Sequence, residues 1–468
     1  MVYKKLNPFE FAVAILTALA ISIFYLFFNF NYLSKWVDEK GDVLTYDYYV
    51  RLGLPEYLYN PHHIGFDWLG KSMYDALKQN GYSGKVMPVL QLRNLIISSI
   101  ALGAIFFLLY KISKKYILSL LIVASISFTA AYWMYSQIND TPIIHSVTLA
   151  ILFLILINYP FVKKKALFSV FLGIYHSLNI FFHQSNVLFI IVIFFVYFFS
   201  EYFYRNYYDV CEELSFIYKK SRFSFQKFDK LRFNNIKYFL LYFSVFLVIV
   251  ISGYYYVGIV KIGLTFDKNK ATNFNNIKDS TYFFNWLILY TKIDHWGKGL
   301  SDDSTLKKAS EGITNYFFQP QKFKNQDLKA DFKNPISPNS ILPNMVGFIF
   351  IFVLLSTIVF FQALFKKYNY LFLTNLLFLS IYTAFSLWWE PDYREFWVVT
   401  MFPFWFLFFF ILNFLIDAGK KAAALVKIPA YIFLFVLCFS LFYFNFTGFI
   451  YKHAGSDYRK FDIVKEKQ

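Results

Sequence analysis

Long apolar runs, broken by short polar stretches, set the pattern of this chain. Eleven of them, Phe9–Phe30, Leu92–Tyr110, Ile117–Tyr135, Thr141–Phe161, Ala166–Phe182, Val187–Phe203, Tyr238–Val260, Met345–Phe365, Tyr368–Trp389, Phe396–Ile416 and Ile428–Ile450, approach the length needed to cross a bilayer, about 20 residues for a helix. Backbone N–H and C=O groups find no water in hydrocarbon, so such runs must pair internally as helices. The predicted fold is an all-α polytopic membrane protein of about eleven transmembrane helices. It divides into an N-terminal module (1–260) with a first long loop (31–91), a second long loop (261–344) and a C-terminal module (345–468).

The loops orient the bundle. Lys4 and Lys5, then Lys111, Lys114 and Lys115, then Lys163 to Lys165, Lys366 and Lys367, and Lys420 and Lys421 fall in alternate loops, while the other short loops hold only Arg394. Lysine and arginine mark the cytoplasmic side. The reading puts the N-terminus inside, the C-terminus outside and both long loops outside, with a bacterial plasma membrane as the expected setting. The first run lacks a small-residue cleavage site and reads as a retained span. The net charge of +17 follows from this asymmetry and from a basic stretch over 205–237 suited to anionic headgroups, so no nucleic-acid partner is implied. Cys211 and Cys438 fall on opposite sides of the bundle and provide no disulfide framework.

Polar periodicity within the first long loop predicts two short amphipathic helices lying in the interface. One runs Val43 to Leu52, capped by Asp42 and stopped at Gly53. The other runs Ile64 to Asn80, with Ile64, Trp68, Met73, Ala76 and Leu77 on a common face and Gly81 as its stop. The second long loop carries twelve lysines and no arginine, and is expected to fold over the outer face.

Groups suited to chemistry gather on the outer side. All seven histidines, His62, His63, His145, His176, His183, His295 and His453, fall in outer loops or outer halves of spans. His176 and His183 share a helix face. Ionisable groups are costly in a bilayer and usually face a cavity. Asp42 reads either as a helix cap or as a catalytic carboxylate, with Asp38, Glu39 and Asp47 as neighbours able to replace it. Asp140, in a very short outer loop, reads either as a cap or as a second carboxylate in the same cavity. The turn from Trp388 to Phe396 packs Glu390, Asp392, Arg394 and Glu395 together. Arg394 there suits either a surface ion pair or a bidentate grip on a lipid phosphate. No P-loop, dinucleotide fingerprint, HExxH or CxxC is present, which argues against an ATP-driven pump and a cytoplasmic nucleotide-sugar synthase.

One N-terminal span, an outer loop with an early aspartate and two juxtamembrane helices, then many spans, resembles the GT-C glycosyltransferase superfamily. That group includes the protein O-mannosyltransferases, aminoarabinose transferases and oligosaccharyltransferases. Gly41–Asp42 followed by Asn60-Pro61-His62-His63 resembles the GlyAsp…HisProProGly pattern of bacterial GT-C-like proteins, with Val43 in place of the common glutamate. Asp140 matches an acidic residue between the third and fourth spans.

The resemblance implies inverting transfer of a sugar from a polyprenyl-phosphate donor to a glycan, lipid or protein acceptor at the outer face. In that reading Asp42 is the general base, with Asp47 as the alternative, and Asp140 a second carboxylate. Arg394, Arg51, His62 and His63 bind the donor phosphate, and His183, Glu390 and Glu395 belong to the same site. It calls for no organic cofactor and leaves a divalent metal open. The rival expectations are an O-antigen polymerase or ligase, disfavoured by the arginine-free second loop, and a lipid-linked-sugar flippase or other transporter, for which broken helices are expected and none is legible.

Overall fold

The structure, a computed structural model, describes residues 6–33, 42–205, 225–270, 281–288, 304–318, 338–418 and 423–451. It is all-helical, with one isolated bridge, Thr265 to Tyr282, among the described residues. The helices are α1 (Pro8–Phe30), α2 (Asp42–Leu52), α3 (Pro55–Leu58), α4 (Phe66–Gln79), α5 (Val86–Ser113), α6 (Tyr116–Ser127), α7 (Ala130–Gln137), α8 (Pro142–Leu156), α9 (Lys165–Phe182), α10 (Ile190–Arg205), α11 (Phe225–Tyr255), α12 (Phe283–Leu287), α13 (Thr305–Phe317), α14 (Pro338–Val359), α15 (Phe361–Tyr368), α16 (Tyr370–Trp389), α17 (Arg394–Ala418) and α18 (Ala423–Asn445).

Eight helices are long and apolar enough to cross a membrane, and up to ten if each of two bent pairs counts as one span. This is the architecture of a polytopic membrane protein. Helix α17 lies at its heart, with 89% of its apolar window buried, whereas α1 buries only 11% and turns most of its apolar surface outward. Of the eleven predicted runs, Val187–Phe203 falls on a shorter apolar stretch, Gln184–Ser200. Two more are bent, which corrects the expectation of unbroken helices: α6 meets α7 at 65° and α14 meets α15 at 79°.

The first bend is chemically prepared. Ser125 and Ser127 Oγ and Thr129 Oγ1 donate to carbonyls of the preceding turn, at 2.8 Å each, and Asn445 Nδ2 donates to the Phe128 carbonyl. Hydroxyl back-bonding of this kind adds second donors to carbonyls of the last turn and bends helices, while Asn445 serves the Phe128 carbonyl at the break itself.

Lysines from two separate parts of the chain meet at one end of the bundle. Asp417 of α17 receives Lys115 on one carboxylate oxygen and Lys367 on the other, both at 2.7 Å. Lys114 reaches Glu10 at 2.8 Å. Glu10 in turn closes a reciprocal cap with Asn7 at the start of α1, a pairing that satisfies two orphan N–H groups.

The first long loop forms the predicted helices. Gly53 and Gly81 follow them with φ of +65° and +92°, a conformation glycine adopts without steric cost. The predicted apolar face of the second is corrected. Helix α4 buries Phe66, Asp67 and Gly70, while Trp68 is half exposed, because α4 docks on α2 and α5 through its first two turns. Helix α13 of the second long loop packs against α7, α14 and α17, with Tyr316 and Phe317 buried.

Candidate functional site

At the end of the bundle away from Asp417, the polar groups of five distant segments converge. Helix α9 stops at His183, which takes an extended conformation. The first loop answers the interrupted backbone: Gly65 N–H donates to the Phe181 carbonyl at 2.7 Å, and Gln184 N–H donates to the His62 carbonyl at 2.9 Å. Tyr254 Oη of α11 donates to the Pro61 carbonyl at 3.0 Å. The Asn60–His63 segment is thereby held within the bundle, not left on its surface.

His62 and His183 meet edge to face with ring centroids 4.0 Å apart, and His145 of α8 stacks on His183 at 4.4 Å. His62 also lies nearly parallel to Trp389, at the end of α16, at 6.4 Å. His63 Nε2 lies 3.2 Å from Tyr46 Oη of α2. Ser185 donates to His183 Nδ1 through both its backbone N–H and its hydroxyl. The His183 proton is therefore on Nε2, the neutral tautomer. Burial drives the His62 pKa down to about 4 and His63 well below its ordinary value. At neutral pH these imidazoles offer a phosphate a hydrogen bond but no charge.

Asp140 occupies the turn between α7 and α8, buried, with its Oδ1 accepting from Thr141 N–H at 2.6 Å. Asn94 of α5 donates to the carbonyls of Ile138 and Asp140, both at 2.8 Å. Its neighbour Arg93 donates to Asn94 Oδ1, the Phe66 carbonyl and Asn139 Oδ1 at 3.0, 2.7 and 3.0 Å, with its guanidinium 3.8 Å over the Phe66 ring. Asp67, wholly buried on α4, has both carboxylate oxygens without a hydrogen-bond partner. Its pKa is pushed well above the usual range by burial, against the pull of Arg93.

Tyr135 of α7 is buried and lies within electrostatic reach of Arg394, Glu395, Asp140 and Tyr393. Trp397 Nε1 donates to the Pro391 carbonyl at 2.8 Å and ties that turn to α17.

The sequence candidates thus divide. His62, His63, His145, His183, Asp140, Arg394 and Glu395 share one end of the bundle, and Glu390 directly follows the Trp389 that stacks with His62. Asp47 is buried and paired with Arg51 at 2.8 Å within α2. Asp42 opens α2, but its side chain, with Gly41, Asp38, Glu39, His295 and His453, lies outside the described residues. His176 is set apart. Its Nε2–H donates to the Asn186 carbonyl at 2.9 Å, so its Nδ1, 2.6 Å from Tyr242 Oη, accepts from that hydroxyl.

Arg93, Asn94, Asp67, Asn139 and Tyr135 were not singled out from the sequence. An intramembrane arginine one residue inside a predicted span was the available signal. Among the described residues no group of three or more His, Cys, Asp or Glu is placed to hold a metal ion. Elsewhere, Asn344, Met345, Phe348, Ile349 and Phe433 line an apolar recess of about 320 Å³ between α14 and α18. No model of a known protein family matches the chain, and a search of curated proteins finds no match to it.

Proposed function

We propose that this protein is a membrane glycosyltransferase that moves a sugar from a polyprenyl-phosphate donor to an acceptor hydroxyl at the non-cytoplasmic face. One observation carries the reading: Asp140 and the Trp388–Phe396 turn share Tyr135 as a neighbour, while His62 of the first loop stacks with Trp389. We read this carboxylate, this arginine and these hydrogen-bonding imidazoles, from four parts of the chain, as parts of one site.

Such a transfer asks three things of the protein. A carboxylate takes the acceptor's proton as the oxygen attacks the anomeric carbon. In the inverting geometry that attack comes from the face opposite the leaving phosphate. Cationic or N–H donors stabilise charge building on that phosphate. Asp42, at the start of α2, is assigned as base, and Asp140 as the carboxylate that orients the acceptor. Arg394 grips the phosphate through two guanidinium N–H groups, and His62 and His183 contribute N–H groups. The apolar recess between α14 and α18 suits part of a prenyl chain. Inward lysines, an eleven-span count and an outward C-terminus complete the proposal.

The test is direct. Purified protein in liposomes is given polyprenyl-phosphate-linked sugars and a membrane extract as acceptor, and release of polyprenyl phosphate is followed. Release by the parent and its loss in Asp140→Asn support the reading; no release from any donor removes it. A second reading, movement of a lipid-linked sugar across the membrane, draws on the two bent helix pairs, since interrupted helices are a transporter feature. Sugar-lipid exchange between leaflets without donor breakdown would favour it.

A further inference from the structure

Arg93 is buried at 2% exposure, yet among the described residues it forms no ion pair with a carboxylate. Asp67 lies close enough to act on it electrostatically, but both Asp67 oxygens lack a hydrogen-bond partner. The guanidinium instead donates to three neutral oxygens in three directions: the Phe66 carbonyl, the Asn94 amide and the Asn139 amide. Taking a cation out of water costs several kcal/mol, and neutral acceptors return less of that cost than a carboxylate would. The arrangement makes sense as geometry.

That geometry is specific. With Asn94 donating to the Ile138 and Asp140 carbonyls, three successive residues, 138, 139 and 140, each give an acceptor to the Arg93–Asn94 pair. The fourth tie, Phe66, belongs to the N-terminal turn of α4. Gly70, one turn further along α4, leaves room for it: a Cβ there would lie 2.9 Å from Arg93 Nη1 and collide with Leu90.

We propose that Arg93 is a positioning residue, which with Asn94 locks the Ile138–Asp140 turn to the first-loop helix α4 and so sets where the Asp140 carboxylate stands. The inference rests on Asp140 taking part in the proposed transfer. Lysine cannot replace the fork, because its three N–H bonds radiate from one atom whereas the three acceptors are spread around a plane.

Arg93→Lys and Asn139→Ala are compared with the parent by hydrogen–deuterium exchange of the full-length protein in detergent, alongside donor kinetics. In both variants, exchange should rise at least tenfold in the peptide covering 137–142, while peptides from α9, α16 and α17 keep parental rates. Donor kcat should fall at least tenfold with KM within about twofold. Combining the substitutions should add little to either one. Unchanged exchange at 137–142 in both variants would overturn the proposal. So would faster exchange throughout the bundle in Asn139→Ala, which leaves the guanidinium in place. Should Arg93→Lys fail to fold, Asn139→Ala alone decides. If the parent transfers no sugar, the functional reading fails on that result, while the exchange measurement still decides whether Arg93 locks the turn.

Discussion

His62 and His183 place their imidazoles edge to face, 4.0 Å apart, although one belongs to the first long loop and the other ends α9. The contact exists because the loop supplies the backbone partners that the end of α9 requires, at Gly65 and His62. Loop and bundle are therefore one packed unit here. Replacing His62 should disturb the ends of both α9 and α16, since the same ring also lies parallel to Trp389.

That packing makes the protein acid-sensitive. His62, at about 4, and His63, well below an ordinary histidine, stay neutral in the folded state, chiefly because burial penalises the charged ring. In the unfolded chain they titrate near 6.5. As pH falls from 6.5 towards 4 the unfolded state binds more protons, so stability declines across that window. Asp67, raised by burial, works in the opposite sense. The melting temperature in detergent should drop between pH 7 and pH 5, and the drop should be shallower in His62→Gln. An equal slope in that variant would assign the acid sensitivity to other groups.

His176 supplies a contrast. It is buried and fully bonded between Tyr242 and Asn186, away from the Asp140 turn. His176→Ala leaves a buried hydroxyl and a carbonyl unpaired, at a cost of about 1–3 kcal/mol for each such group. The variant should melt earlier, while the folded fraction keeps the parental turnover. A loss of turnover beyond the loss of folded protein would bring His176 into the chemistry.

Much of the fold is legible in the chain. The apolar runs fall on helices, and Gly53 and Gly81 end α2 and α4 where turn chemistry says they should. The bend between α6 and α7 was hidden because Ser125, Ser127 and Thr129 look like tolerated hydroxyls in a span until their carbonyl partners are seen. The site was half visible. His62, His63, Asp140 and His183 stand out by residue type and position. Arg93 did not, because the predicted span began at Leu92 and placed it at the membrane edge, whereas α5 begins at Val86 and carries Arg93 two turns inward. Asp67 was not singled out, since its burial depends on how α4 docks, which periodicity does not specify.

Orientation is open to a labelling experiment. After Cys211→Ser removes the native thiol of the 206–224 stretch, Lys270→Cys and Ser221→Cys are compared in intact cells with an impermeant thiol reagent. Lys270 is exposed, so its replacement should label and that at Ser221 should not. Labelling at Ser221 alone would invert the bundle and place the histidine site on the cytoplasmic side.

Arg394 can be separated from general structure by Arg394→Lys, which keeps the charge and loses the planar two-point grip. If this residue holds the donor phosphate, KM for the lipid donor should rise roughly tenfold, as expected for losing about 1.4 kcal/mol of binding, with little change in melting temperature. Unchanged donor dependence would leave Arg394 as a partner of its own turn and of Tyr135.

The choice of base turns on α2, which carries both Asp42 and Asp47. Asp47 is buried and paired to Arg51 at 2.8 Å. Asp42 opens the helix. Asn matches Asp in size and caps a helix about as well, so Asp42→Asn would preserve any capping use while removing a group able to accept a proton at neutral pH. If Asp42 is the general base, transfer should fall by roughly 10² or more with expression and melting temperature nearly unchanged. Asp47→Asn should lower stability by loosening Arg51, and spare most of the turnover of the protein that folds. The reverse pattern, Asp47→Asn inactive and Asp42→Asn active, would move the base about one turn along α2 and keep the transferase reading. Full turnover in both, with a donor the parent uses, would take α2 out of the chemistry and leave Asp140 as the carboxylate to pursue.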